Sequence, residues 1–294
     1  MKNSSTDSPM GTQKLGVCKL TGTVGPYVKS HILPAALTRL NTSGKKIIEV
    51  GIGQGEKNRF VGWYDNALVT RVGEDILEEI DTPAIELLRE HKLVWSGWEG
   101  ESLTGEEIHA FDEGMGFRVI EPDNPRIIQL FFLSVLWRAA ASDRSEFVEI
   151  KISEEILEDL RKRVAKKDPG DFSDFPINLY QITTRGIPHN RAPLLESRVI
   201  NFDEGKSVRV DYVRIYLDGL IAHVQLQLQE KMDEEHRATC LKEIGPSLVS
   251  LHKFEHSRTF ENITEMTATV MKEKFIPNVP LKPIALASKQ CCQN

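Results

Sequence analysis

The apolar positions of this chain change their period along its length, and the changes mark out its elements. Residues 127–141 (Ile-Ile-Gln-Leu-Phe-Phe-Leu-Ser-Val-Leu-Trp-Arg-Ala-Ala-Ala) are apolar on nearly every side, the pattern of a central helix buried all round. The run is too short to cross a bilayer. Upstream, residues 74–80 read as a helix, Thr82 and Pro83 as the cap and first residue of a second one through Lys92, and residues 103–113 as a third capped by Thr104. Residues 93–98 between them read as a short aromatic strand or turn. Ser153 caps a further helix through Lys167, with acids in its first turn and bases in its last, as the helix dipole favours. Past residue 171 the period falls to two, and strands are predicted over 178–184, 197–201 and 207–217. In the last of these Val208, Val210 and Tyr212 alternate with Arg209 and Asp211, and Asp218-Gly219 reads as the hairpin turn into 220–228. Near the N-terminus residues 27–34 lean toward β structure until Pro34 stops them, and residues 45–50 are a strand candidate.

These elements predict an α+β protein. The boundaries are a polar, disordered 1–13, an N-terminal unit over 14–80, a helical region over 81–170, an antiparallel β-rich part over 171–275 and an extended, proline-bearing tail over 276–294. A chain of 294 residues buries a sizeable core. Its net charge of −6 is ordinary for a soluble protein, but residues 1–60 hold nine Lys/Arg against three acids, so +6, leaving −12 for the rest. A phosphate-facing surface therefore belongs near the N-terminus, where a plain solvated basic face is the rival reading. Cysteines at 18, 240, 291 and 292 make no disulfide framework and point to a reducing compartment. The polar N-terminus lacks the apolar core of a signal peptide, so the expectation is a cytoplasmic protein with no membrane partner. The ending Cys291-Cys292-Gln293-Asn294 has the length of a prenylation box but the wrong last residues.

Candidate chemistry concentrates between Cys18 and Pro34. Cys18 and Thr21-Gly22 stand where a zinc knuckle reads Cys-x-x-Cys-Gly, and Ser30-His31-Ile32-Leu33-Pro34 follows on the strand. This layout resembles the opening of the HNH (His-Me finger, treble-clef) endonucleases, in the branch that reads Ser-His-Ile-Ile-Pro. The resemblance continues through residues 63–74, with Asp65 at the family's Asn, Thr70 and Gly73 at its second pair of cysteines and Glu74 at its last ligand. It extends modestly to the Leu136-Trp137-Arg138 element. The resemblance implies a treble-clef-like unit over 14–80. Because Thr and Gly supply no thiolate, it implies that unit without structural zinc, held by packing of Leu20, Tyr27, Trp63 and Leu68. It further implies a divalent-metal-dependent endonuclease, often of phage or prophage origin. In that reading His31 is the general base, Asp65 orients it, and Glu74 holds Mg²⁺ or Mn²⁺. Ser30 departs from the pattern, since many members carry an acidic ligand there. The implied partner is DNA, or RNA, met through Lys29, Lys45, Lys46 and Arg59.

Two other readings stay open. The protein is a catalytically inactive structural or binding module, with His31 a strand residue satisfied by Asp65. Alternatively, the stretch from Glu49 to Gly55, a strand candidate running into Gly-x-Gly-x-Gly, is the first motif of an S-adenosylmethionine-dependent methyltransferase. That motif requires a helix directly after the glycines. The residues that follow lack helical periodicity, so a glycine-rich hairpin or loop is expected instead. The acids of 71–113 read as helix surface, His223 as a packed or surface residue and Arg138 as a salt-bridging one.

Overall fold

The computed structural model describes residues 14–38, 47–51, 54–59, 62–112, 114–186, 189–201, 207–226 and 237–257. It opens with a small antiparallel hairpin, β1 (Leu15–Val17) and β2 (Val24–Pro26). Next come β3 (Ser30–His31) and a single helical turn, α1 (Ala35–Thr38). β4 (Ile47–Gly51) and β5 (Gln54–Arg59) then form a hairpin, and β6 (Tyr64–Asp65) returns to pair with β3. Residues 1–13, 41–46 and 276–294, which include Lys45 and Lys46, lie outside the described residues.

The acidic segment that follows is one continuous helix, α2 (Arg71–Glu90), with Pro83 inside it. The sequence reading of two helices meeting at Thr82-Pro83 is thereby corrected. Proline in a helix interior costs about 3 kcal/mol, whereas burying one large apolar side chain contributes about 1.5–3 kcal/mol. The buried stripe Leu77, Ile80, Ala84, Ile85 and Leu88 runs straight past the proline. Packing therefore outweighs the lost hydrogen bond.

The predicted helix over 103–113 is also absent. Gly105 has φ +76° and the chain passes into β7 (His109–Asp112), which pairs with β8 (Met115–Ile120). The apolar stretch does form the central helix, α3 (Pro125–Ala141), and Ser153 does cap α4 (Glu154–Lys166), its hydroxyl accepting from the Ile156 N–H. The C-terminal half supplies β9 (Ile177–Ile182), β10 (His189–Arg191), β11 (Leu194–Asn201), β12 (Ser207–Leu217), β13 (Leu220–Gln225) and β14 (Ser247–His252). The β12–β13 turn falls at Asp218-Gly219, both with positive φ.

Among the described residues β10 pairs in parallel with β4, and β7–β9 with β11–β14 form a seven-stranded sheet in the order β11-β12-β13-β9-β14-β8-β7. It is antiparallel except between β14 and β9, which run parallel. The protein is thus α+β, but its sheet reaches back into the region read as helical. α3 packs against α2, α4, β12 and β13, and nearly all its side chains are buried there. Contacts divide the chain into two units, Met1–Phe254 and Glu255–Asn294, and all the labelled strands and helices lie in the first. Among the described residues no helix is long and apolar enough to cross a membrane.

Candidate functional site

The β1–β2 hairpin closes on residues 18–23. The Cys18 N–H donates to the Thr23 carbonyl at 2.9 Å and the Gly22 N–H to the Cys18 carbonyl at 2.8 Å. Gly22 turns at φ +74°, where a side chain would be strained. The hairpin is tied to the approach of α2: the Lys19 N–H donates to the Leu68 carbonyl, the Val28 N–H to the Val69 carbonyl, and Tyr27 bridges Thr70. Leu20, Trp63 and Leu68 are buried beneath it, and the half-buried Tyr27 donates its hydroxyl to the Val17 carbonyl.

Cys18 is fully buried at the focus of this arrangement. Burial pushes its thiol up, but the Thr21 side chain and the backbone N–H groups of Thr70, Thr21 and Leu20 more than offset this and leave it below the usual thiol value. A Cβ built on Gly73 would stand 2.6 Å from the Cys18 sulfur. Positions 18, 21, 70 and 73, far apart in sequence, thus meet around one sulfur atom.

The second feature is a cavity of about 490 Å³ beside the β3–β6 pair. Its charged lining comes from β3 and the residue before it (Lys29, His31), from α2 (Arg71, Glu74, Glu78, Asp81) and from α3 (Arg138). Glu74, Glu78 and Asp81 share a face because they are spaced i, i+4, i+7 on one helix. Glu74 sits in the first turn of α2, and its Oε2 is buried with no hydrogen-bond partner. Burial raises the Glu74 carboxyl, against the Ser30 hydroxyl and the Arg138 charge, which lower it. Lys29 lies with Nζ 4.0 Å from the centre of the Tyr64 ring, and Arg71 makes a loose, exposed pair with Asp75 at 3.6 Å.

Asp65 corrects the sequence reading. β3 and β6 pair Ser30 with Asp65 and His31 with Tyr64. Directly opposed residues share a face and neighbours alternate, so Asp65 leaves the ribbon on the side away from the His31 ring. Its Oδ1 accepts from the Ala67 N–H at 2.8 Å and its Oδ2 from the Ser142 hydroxyl at 2.7 Å. Asp65 therefore closes a turn and fastens the end of α3.

Arg138 is bound from three sides. Nη1 and Nη2 form a bidentate pair with Asp81 at 2.9 and 2.7 Å, Nη1 also donates to the His31 carbonyl at 3.1 Å, and Nε donates to the Ser134 carbonyl at 3.3 Å. Sequence reasoning gave Arg138 a salt bridge but missed its hold on His31. It also missed Asp81 as a neighbour of Glu74. Reading α2 as unbroken through Pro83 supplies that signal, since the i, i+4, i+7 spacing then becomes visible.

Among the described residues no three His, Cys, Asp or Glu side chains gather as a metal cluster. Glu74, Glu78 and Asp81 bring carboxylates to the cavity that His31 also lines, and carboxylate oxygens are the donors a hard cation such as Mg²⁺ takes. Arg59 lies on β5. The glycines after Glu49 lead into β5, which pairs antiparallel with β4. The helix that a methyltransferase motif needs there is replaced by a strand, so this reading is corrected in favour of the glycine-rich hairpin. Against family models, curated proteins and solved structures the chain gives no match.

Proposed function

We propose that the chain is an HNH-like, divalent-metal-dependent nuclease, or a nuclease-derived protein that keeps the nucleic-acid site. The observation that carries this reading is that His31 and Glu74 line one cavity together with the cations Lys29 and Arg71. Supporting it is the order of elements expected of a treble clef: knuckle hairpin, His-bearing strand, returning strand, then a helix bringing Glu74 in its first turn. The meeting of positions 18, 21, 70 and 73 at the Cys18 sulfur fits a zinc knuckle whose other three ligands are gone.

The chemistry is hydrolysis of a phosphodiester. A water oxygen bonds to phosphorus while the bond from phosphorus to the leaving ester oxygen breaks, and His31 takes the proton that the water loses. Lys29 and Arg71 draw the backbone phosphate into the cavity. Mg²⁺ or Mn²⁺ held at Glu74 would neutralise charge developing on the phosphate.

A second reading, a catalytically inactive binding module, draws on one observation. The carboxylate that would orient His31 is taken up by Ala67 and Ser142. Binding and turnover on a labelled duplex separate the two. In the nuclease reading, His31→Ala abolishes Mn²⁺-dependent cleavage and leaves the dissociation constant within about threefold. Binding without turnover in the unmodified protein would favour the module.

A further inference from the structure

Arg138 is buried on α3, yet it touches three separate elements of the cavity wall. Its pair with Asp81 crosses to α2, its Nε contact closes on its own helix, and its remaining bond goes to the main chain of β3 at His31. His31 is the last residue of that two-residue strand, and Pro34 stands three residues beyond it. So short a strand fixes little by itself. The His31 carbonyl accepts from the Arg138 guanidinium, which joins it to α2, the helix that carries Glu74.

We infer that Arg138, locked by Asp81, is the positioning residue of this site: it sets the place of His31 relative to Glu74 through the His31 carbonyl. A planar, five-donor guanidinium is suited to this because one group holds a carboxylate bidentately and still donates to a carbonyl. Asp65, the residue whose type suggests this task, holds the turn and the end of α3 instead. A side chain of α3 thus holds His31 through its backbone.

The catalytic consequence rests on the nuclease reading, whereas the mechanical part does not, and the test separates them. Removing Arg138 alone leaves the half-buried Asp81 unpaired, which destabilises, so the central variant is Arg138→Met with Asp81→Leu, which removes both charges together. In the full-length double variant, kcat is expected to fall about 100-fold with KM within about twofold, the signature of a displaced catalytic group. Arg138→Lys keeps the charge but not the two-pronged hold on Asp81 together with the bond to the His31 carbonyl, so its kcat is expected to fall by more than about tenfold as well. The second readout needs no turnover. In the absence of metal, NMR order parameters for the Ser30, His31 and Ile32 amides are expected to fall from about 0.85 toward 0.6 in the double variant. A folded double variant with unchanged order parameters at these amides, or with undiminished kcat, overturns the inference. An unmodified protein without turnover sinks the nuclease reading alone, and the order parameters still decide whether Arg138 holds His31.

Discussion

Gly73 lies so close to Cys18 that a methyl group added to its Cα would stand 2.6 Å from the Cys18 sulfur and 2.9 Å from Cβ of Val69. Glycine at this first turn of α2 is therefore a packing requirement, since the thiol fills the space a side chain would take.

Gly73→Ala is expected to destabilise the protein by about 1–3 kcal/mol through overpacking. Denaturant unfolding of Gly73→Ala, Cys18→Ala and the double variant checks it. The pair should be less than additive, because removing the sulfur relieves the tighter of the two contacts.

Asp218 occupies the β12–β13 turn at φ +49°, its carboxylate accepting the Ser96 N–H at 2.8 Å. Burial pushes this carboxyl up to about 6, with the Ser96 hydrogen bonds opposing. Between pH 3.8 and 6 the unfolded chain has lost the proton that the folded one keeps, so stability falls as pH rises through that window. Asp218→Asn, tolerated at positive φ, should stabilise the protein by about 1–3 kcal/mol at pH 7.5. The gain should fade below pH 4, which denaturant midpoints at the two pH values will read.

The opposite slope belongs to His223, whose ring lies between Tyr180 and Tyr212 with centroids 4.5 and 4.4 Å away. Burial, with the charges of Arg198 and Arg214, lowers its pKa to about 3. As pH falls from 6.5 toward 3 the unfolded chain gains a proton that the folded one refuses, and stability is lost. His223→Phe keeps an aromatic ring and removes the titration. Its melting temperature should drop less than that of the unmodified protein between pH 7 and pH 4.5.

At the cavity, Lys29→Ala with Arg71→Ala is expected to weaken duplex binding and make the slope of log K against log salt shallower by about 2, roughly 0.9 for each lost phosphate contact. Fluorescence anisotropy across a salt series measures it. An unchanged slope would remove these two cations from the interface.

Parts of this fold were legible because the local pattern and the tertiary packing agree. The all-round apolar run became α3, Ser153 capped α4, and Asp218-Gly219 turned β12 into β13. β8 was illegible because its pattern is inverted: Arg118, 1% exposed, points inward while Val119 is 46% exposed. Arg118 is satisfied by Gln181, Glu106 and the His91 carbonyl, all distant in sequence. Pro83 hid the continuity of α2, and with it the shared face of Glu74 and Asp81. His31 and Glu74 both line one cavity, whereas Asp65 is held by Ala67 and Ser142. A strand register decides that direction, and no spacing in the sequence reveals a two-residue pairing.

The central claim is that the His31 and Glu74 cavity cleaves phosphodiesters, and plasmid nicking in Mg²⁺, Mn²⁺ and Ni²⁺ tests it most directly. The purified protein should convert supercoiled to open-circular DNA only with metal, and His31→Ala and Glu74→Gln should each abolish conversion at unchanged melting temperature. Nicking that persists in His31→Ala, or none by the unmodified protein with any of the three ions, would contradict it.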